Sequence, residues 1–324
     1  MINQISAMKG NYTPAKRPAD VNIHYIVIHA TELSYGETIA RFQEPHQVSA
    51  HVVLRQSDGL RTQMVAPHDV AWHAGNWDLN CRSLGIEQEA FVAQPESFTP
   101  AMMSALVAQI QAWATCYHIP LDRAHILGHD NVPAPTRAAS LQMHQDPGWY
   151  FDWADLFSRL GVLPPAEEPI EVGRAVQITA GYADLHTQPE VTSHLIDSDS
   201  AVALPSLYHR VSFGQQFVCV QVRGDWVGID FNGQLAWLNN LQQKAAIGVL
   251  AEIYTVKQDT TLLGSTQPHA EPIATLHQGE QYVIIDQLTG IETDEVNDQL
   301  QVQQTNQHFN QIWYNHRIGY IKVN

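Results

Sequence analysis

The sequence predicts a multidomain chain: an α/β domain with a mixed central sheet flanked by helices, followed by two small all-β barrels. Three observations carry that expectation. Strand-like runs alternate with helical stripes over residues 20–163. A proline-rich acidic stretch follows. Beyond it, short alternating segments repeat one another. A length of 324 residues suits two or three domains, and 44% hydrophobic residues can fill separate cores.

In the first part, "NIHYIVIHAT" (22–31) is a β-branched and aromatic run, the signature of a buried strand. "SAHVVLRQSDGLRTQMVA" reads as two short strands joined at a Ser-Asp-Gly turn. "SLGIEQEAF" reads as a further strand. In "TPAMMSALVAQIQAWATCYHIP" Thr99 is a suitable N-cap and Pro100 a suitable first helical residue. Met103, Leu106, Val107, Ile110, Ala114 and Tyr117 form one helical stripe, which Pro120 ends. "WADLFSRLG" predicts a second helix. "LPPAEEPIE" has little to pack and reads as a linker. The expected division is an α/β domain over 1–163, a linker over 164–171, and β-domains over 172–243 and 248–324.

The repeat is legible in three places. "FGQQFVCVQV" (213–222) aligns with "QGEQYVIIDQ" (278–287), "HTQPEV" with "STQPHA", and "DWVGIDFNGQLAWLNN" more loosely with "IWYNHRIGYIKVN". The second copy carries an acidic insertion, "TGIETDEVNDQLQVQQTNQ", expected to be a long hairpin or loop. A Gly before a Val-rich strand, then a Trp strand, then a small-residue–aromatic pair (Ala236-Trp237, Gly319-Tyr320) resembles the bacterial SH3-like (SH3b) repeat. That resemblance implies binding of cell-wall peptides.

Bulk properties exclude several classes. A net charge of −16, with the acidic excess concentrated after residue 165, argues against nucleic acid, which is held mainly by Lys and Arg. No apolar run reaches the roughly 18 residues of a membrane span. The N-terminal stretch has no apolar core of a signal peptide. Cys81, Cys116 and Cys219 are scattered and odd in number, so no thiolate metal site or disulfide framework is expected. Cys116 and Cys219 read as small buried hydrophobes. HExxH, GxSxG and P-loop motifs are absent.

What remains is a scattered set of histidines and acids at strand ends and in loops. In order they read "VIHAT … SAHVVL … AWHAG … SLGIEQE … GHDNVP … HQDPGWYFDW". Over about residues 20–157 this order resembles the zinc-dependent N-acetylmuramoyl-L-alanine amidases, the family that includes phage-lysozyme-type amidases and peptidoglycan recognition proteins. Residue by residue, the resemblance implies one Zn²⁺ held by His29, His129 and Asp146. It also implies Glu87, in "GIE", as the general base.

The chemistry of that set is coherent by itself. Two neutral imidazoles and one carboxylate leave Zn²⁺ a net positive charge and an open fourth position. Such an ion acidifies water to a pKa of about 7 and polarises a carbonyl. A carboxylate is still needed to take the water's proton and pass it to the leaving amine. Many relatives place a Lys two residues before the Asp ligand, as partner for the oxyanion. Here that place is His144, whose charge depends on its protonation. A competing reading makes His144 the third ligand and Asp146 its hydrogen-bonding neighbour.

The resemblance further implies that Trp72 and His73 line the substrate cleft. Arg137 is a candidate partner for an acidic group of the stem peptide, or an ordinary surface residue. His51 and His125 are expected in core or supporting hydrogen bonds. Together these readings imply hydrolysis of the amide between N-acetylmuramic acid and L-alanine in peptidoglycan by a secreted or wall-associated monomer, or by a phage endolysin. The alternative is a noncatalytic peptidoglycan receptor on the same scaffold. It would be expected to lose ligands that are all present here.

Overall fold

The protein is described from a computed structural model covering residues 2–18, 21–197 and 207–323. A six-stranded mixed sheet lies at its centre, in the order Ile2–Gln4, Arg61–Gln63, Val52–Leu54, Ser83–Gln88, Tyr25–Ala30 and Ile126–Gly128. Val52–Leu54 and Arg61–Gln63 form the expected antiparallel pair, and the remaining neighbours run parallel.

Among the described residues four α-helices accompany the sheet: α1 (Tyr35–Gln43), α2 (Trp77–Arg82), α3 (Pro100–Tyr117) and α4 (Trp153–Arg159). The Thr99 side chain accepts from Met102 N, which satisfies one orphan donor at the start of α3. The chain leaves that helix through His118 in the left-handed region. Of the expected stripe, Met103, Leu106, Ile110 and Ala114 are buried and Val107 and Tyr117 half-buried, and Met102, Gln109 and Trp113 are buried besides. Cys116 is exposed on α3, contrary to expectation, whereas Cys219 is buried in a strand as expected. Two helices have no counterpart among the segments read from the sequence. The first, α1, starts with a capping box in which Ser34 and Glu37 bond reciprocally.

Alternation along the central strand decides what covers each face of the sheet. Ile26 and Ile28 pack with Met102, Leu106 and Ile110 of α3 and with Trp153 and Leu156 of α4. Tyr25 and Val27 point the other way and share a core with Val176, Phe217, Phe309, Trp313 and Tyr320. The C-terminal β-structure is therefore the second layer over a sheet with two apolar faces, as a sheet of mostly parallel strands requires.

That β-structure comprises two antiparallel sheets with the same strand order. In the first the order is Arg210–Ser212, Tyr182–His186, Gln234–Asn239, Trp226–Phe231, Gln216–Arg223, Ala175–Ile178 and then Ala246–Val249. In the second it is Pro272–Leu276, Thr260–Leu263, Ile318–Val323, Gln299–Trp313, Gln281–Val296 and Glu252–Thr255. Gly214 and Gly279, matched in the sequence repeat, both hold positive φ just before corresponding strands. The acidic insertion is a long hairpin, Gln281–Val296 paired with Gln299–Trp313. It packs back on the first domain, where Leu300 N donates to Pro14 O at 2.8 Å.

Candidate active site

Parallel strands end together, so their C-terminal residues meet. His29 and Glu87 are direct register partners on neighbouring strands, and His129 follows the Ile126–Gly128 strand on the other side. Asp146 arrives from the irregular loop that follows. His29 Nδ1 lies 3.1 Å from His129 Nδ1 and 3.3 Å from Asp146 Oδ2. His129 Nδ1 lies 3.1 Å from Asp146 Oδ1. All three residues are buried.

Supporting bonds hold Asp146 and aim His29. Ala30 N donates to Asp146 Oδ2 at 3.2 Å, and Asp130 N donates to Asp146 O at 2.7 Å. His29 Nε2 lies 3.0 Å from His73 Nδ1, and His73 Nε2 lies 3.1 Å from Ser83 Oγ. This chain turns Nδ1 of His29 toward the cluster. It depends on Gly85, because a Cβ there would stand 2.6 Å from the His73 ring. Gly128 is equally constrained, since its Cβ would meet Asp130 Oδ1 at 2.2 Å.

Burial sets the charge states. Desolvation, aided by His129, pulls His29 down to about 4. Desolvation and the neighbouring histidines hold His73 well below the imidazole range. Burial pushes Asp146 upward, but attraction and hydrogen bonds from His129 and then His29 outweigh it and hold the carboxyl well below the usual carboxylate range. A neutral His29 and an ionised Asp146, joined by the imidazole of His129, make a donor set of the kind that binds a divalent cation. Two donors on one tetrahedral zinc, each about 2.0–2.1 Å from it, stand about 3.3 Å apart. The observed spacings of 3.1–3.3 Å fit that figure.

Glu87 is half-buried, with Oε2 out of solvent and without a partner. Desolvation, then the charge of Asp146, raises its pKa well above the carboxylate range. The His144 side chain is 71% exposed and stacks on the His129 ring at 4.7 Å. Its Nδ1 is 3.7 Å from Asp146 Oδ1, so it stands outside the three-donor cluster. Desolvation, then His129, lowers its pKa, which leaves the ring neutral at neutral pH.

The remaining candidates separate. His73 is buried behind His29 instead of lining an open cleft, because its ring fills the space over Gly85. Trp72 is half-buried and donates from Nε1 to Thr13 Oγ1 at 2.9 Å. Arg137 is exposed in the loop between His129 and Asp146. His51 is buried in the core, accepting from Gly85 N at 2.9 Å.

Residues that the sequence reading passed over close the back of the site. Arg123 Nη2 donates to Asn131 Oδ1 at 2.9 Å, and the Tyr182 hydroxyl donates to Asp130 Oδ2 at 3.3 Å. His316 and Arg317, at the tip of the last hairpin, touch the same loop. One signal marks that tip: the first repeat turns there through Asn232-Gly233, whereas the second carries Asn315-His316-Arg317.

A mixed sheet bearing a buried His–His–Asp cluster beside an unpartnered carboxylate defines a hydrolase-type site. The family model described as N-acetylmuramoyl-L-alanine amidase matches residues 19–149. N-acetylmuramoyl-L-alanine amidase A of Achromobacter lyticus is 31% identical over 169 residues, covering 47% of this chain and 89% of that protein. The chain belongs to the N-acetylmuramoyl-L-alanine amidase family of enzymes. Among solved structures, a selenomethionine derivative of AmpD is 25% identical, covers 49% of this chain and 94% of its own, and has a TM-score of 0.38. The Escherichia coli amidase AmiD, in complex with anhydro-N-acetylmuramic acid-L-Ala-D-gamma-Glu-L-Lys, is 27% identical. It covers 46% of this chain and 62% of its own, with a TM-score of 0.37.

Proposed function

We propose that the protein hydrolyses the amide between N-acetylmuramic acid and L-alanine in peptidoglycan, with one Zn²⁺ held by His29, His129 and Asp146. The observation that carries this reading is the donor spacing of 3.1–3.3 Å among three buried groups of ligating type. When bound, the ion supplies Lewis-acid polarisation of the scissile carbonyl and lowers the pKa of a water.

The chain's own groups do the rest. Glu87 takes the proton of the attacking water and hands it to the departing L-alanine nitrogen. Its raised pKa suits the second half of that task, and a cation beside it favours the ionised form needed for the first. His144, exposed and neutral, donates a hydrogen bond to the carbonyl oxygen as negative charge develops there. His73 keeps the His29 ring in its ligating orientation. Trp72 and Arg137 are proposed substrate contacts, from their positions in loops flanking the site.

The test is paired. Zinc content of the purified protein is measured, together with release of stem peptide from purified wall by wild type and Glu87→Gln. A metal-free protein, or a Glu87→Gln variant with full activity, would sink the mechanism.

The tandem sheets are further proposed to be SH3-like units that hold the enzyme on the wall. Their support is the shared strand order and the glycines in register. Inactive Glu87→Gln should sediment with insoluble wall, and soluble muropeptide that saturates the cleft should leave it bound. Complete release by muropeptide would assign wall binding to the active site alone.

A further inference from the structure

We propose that Arg317 is a positioning residue for the hydrolytic site, so that the last β-hairpin completes the amidase as well as packing on it. The proposal rests on the reading of His129 and Asp146 as ligands. The hairpin Gln299–Trp313 and Ile318–Val323 turns through residues 314–317, where Arg317 N donates to Asn315 Oδ1 at 2.8 Å. From this tip one guanidinium reaches three backbone carbonyls. Nη1 donates to Val132 O at 2.8 Å and to His129 O at 3.2 Å. Nη2 donates to His144 O at 2.9 Å.

Those carbonyls lie at the two ends of one loop. His129 O and Val132 O flank the turn that carries the first ligand, and His144 O lies two residues before Asp146. Between them, residues 132–146 hold little regular structure beyond a short 3₁₀ turn at Ser140–Gln142. Ala30 N and Asp130 N fasten Asp146 at its end, but no strand or α-helix sets the course of the chain between His129 and Asp146. A planar fork with donors in fixed directions can set it, and charge-assisted bonds are about twice as strong as neutral ones.

His316 works beside it. It is buried, with Nε2 3.1 Å from Asp130 Oδ2, and its carbonyl accepts from Asn131 Nδ2 at 3.0 Å. The tip thus grips His129, Asp130 and Asn131 in turn. A ligand constellation needs placement to within about 0.5 Å, and supporting groups of this kind change metal affinity or activity by roughly 10–100-fold.

A residue that merely docks the β-unit would behave differently, and the same interface supplies one for comparison. Gln311 Nε2 donates to Ala124 O at 2.9 Å and Gln311 Oε1 accepts from the Tyr25 hydroxyl at 2.6 Å, both at the opposite end of the strands from His29. The experiment compares full-length Arg317→Ala, Arg317→Lys and Gln311→Ala. It measures kcat and KM on a soluble muropeptide, zinc affinity by chelator competition, and the thermal midpoint.

Arg317→Ala should lower kcat and zinc affinity by roughly 10–100-fold with KM little changed. Arg317→Lys, which keeps the charge but not the fork, should show an intermediate loss. It also keeps the question answerable if the alanine variant does not fold. Gln311→Ala should lower the midpoint and leave kcat and zinc affinity at wild-type values. Wild-type kcat and zinc affinity in either Arg317 variant would overturn the proposal, as would equal losses in Arg317→Ala and Gln311→Ala. Failure of the wild type to bind zinc would refute the ligand assignment, and the kcat contrast would still decide the role of Arg317.

Discussion

The same pair of parallel strands carries a histidine pair at each end, and each pair is closed by an aspartate. At the C-terminal ends stand His29, His129 and Asp146; at the N-terminal ends stand His24, His125 and Asp286. The chemistry of the two sets is nominally identical, but their geometry is not. In the first, donors stand 3.1–3.3 Å apart, near the spacing of co-ligands on one ion. In the second, His24 Nε2 is 2.7 Å from Asp286 Oδ2, a direct hydrogen bond, while His125 Nε2 is 3.6 Å from the same oxygen.

The origin of the carboxylate explains the contrast. Asp146 comes from the amidase domain's own loop and is aimed by backbone N–H groups. Asp286 comes from a strand of the second β-unit, so the second cluster is a clasp across the seam between units. A second carboxylate, Asp122, holds His125 Nδ1 at 2.7 Å and competes for it. Residue type alone does not make a metal site. Donor spacing and the partners behind each donor decide.

Perturbing the two clusters should therefore give effects of different kind and size. The largest is expected at the first. Glu87→Gln should reduce kcat on soluble muropeptide by roughly 10²–10⁴-fold while zinc content stays unchanged. Loss of zinc in that variant would show that the carboxylate helps hold the metal. Next comes His73→Ala, which frees the His29 ring. It should weaken zinc binding and activity together by roughly 10–100-fold, read by chelator competition and kcat. Unchanged zinc affinity would mean that strand geometry alone orients His29.

At the clasp the expected effect is on stability. Asp286→Asn replaces a charged acceptor shared by two histidines and should cost about 2 kcal/mol, with zinc stoichiometry and kcat unaltered. A drop in zinc content on this substitution would mean that the clasp also holds metal.

The amidase domain was largely legible because its signals are local. The strand over His29, the Ser-Asp-Gly hairpin and α3 with its Thr99 cap follow from short-range pattern. So does the ordered set of His, Glu and Asp that resembles the family. The short helix α1 carried a readable capping box in Ser34 and Glu37, whereas α2 has only six residues and buries most of them, which leaves little periodicity to read. Contacts between units were not legible. The pairs Tyr25–Gln311, His24–Asp286 and Arg317–His144 join residues 173 to 286 positions apart, and no periodicity encodes them. Cys116 illustrates the limit within one helix, where a single polarizable residue can sit on either face. His73 reads from the sequence as lining the cleft, whereas it is buried against His29, and only the close approach over Gly85 reveals which way its ring points.

The smallest expected effect is the change that Asp286→Asn makes in the pH dependence of the clasp, and its sign follows from the groups that face it. Asp122 and Asp286 raise His125 to about 9 against its burial. Its contribution is complete below its ordinary value of about 6.5 and is lost as pH rises through about 9. Asp286 is depressed by His125 and His24, so its contribution is present above the ordinary carboxylate range and lost only in strong acid. Burial lowers His24, with His125 and Arg82 also opposing its charge, so it weakens the folded state as pH falls below about 6.5. Between pH 6.5 and 9 only His125 among the three changes its contribution, and the wild type should lose stability across that interval. In Asp286→Asn one of the two carboxylates that raise His125 is gone, so the decline should be shallower. Thermal midpoints of the full chain at the two pH values measure it, and parallel declines in both proteins would remove His125 from the account and leave the clasp to His24 and Asp286.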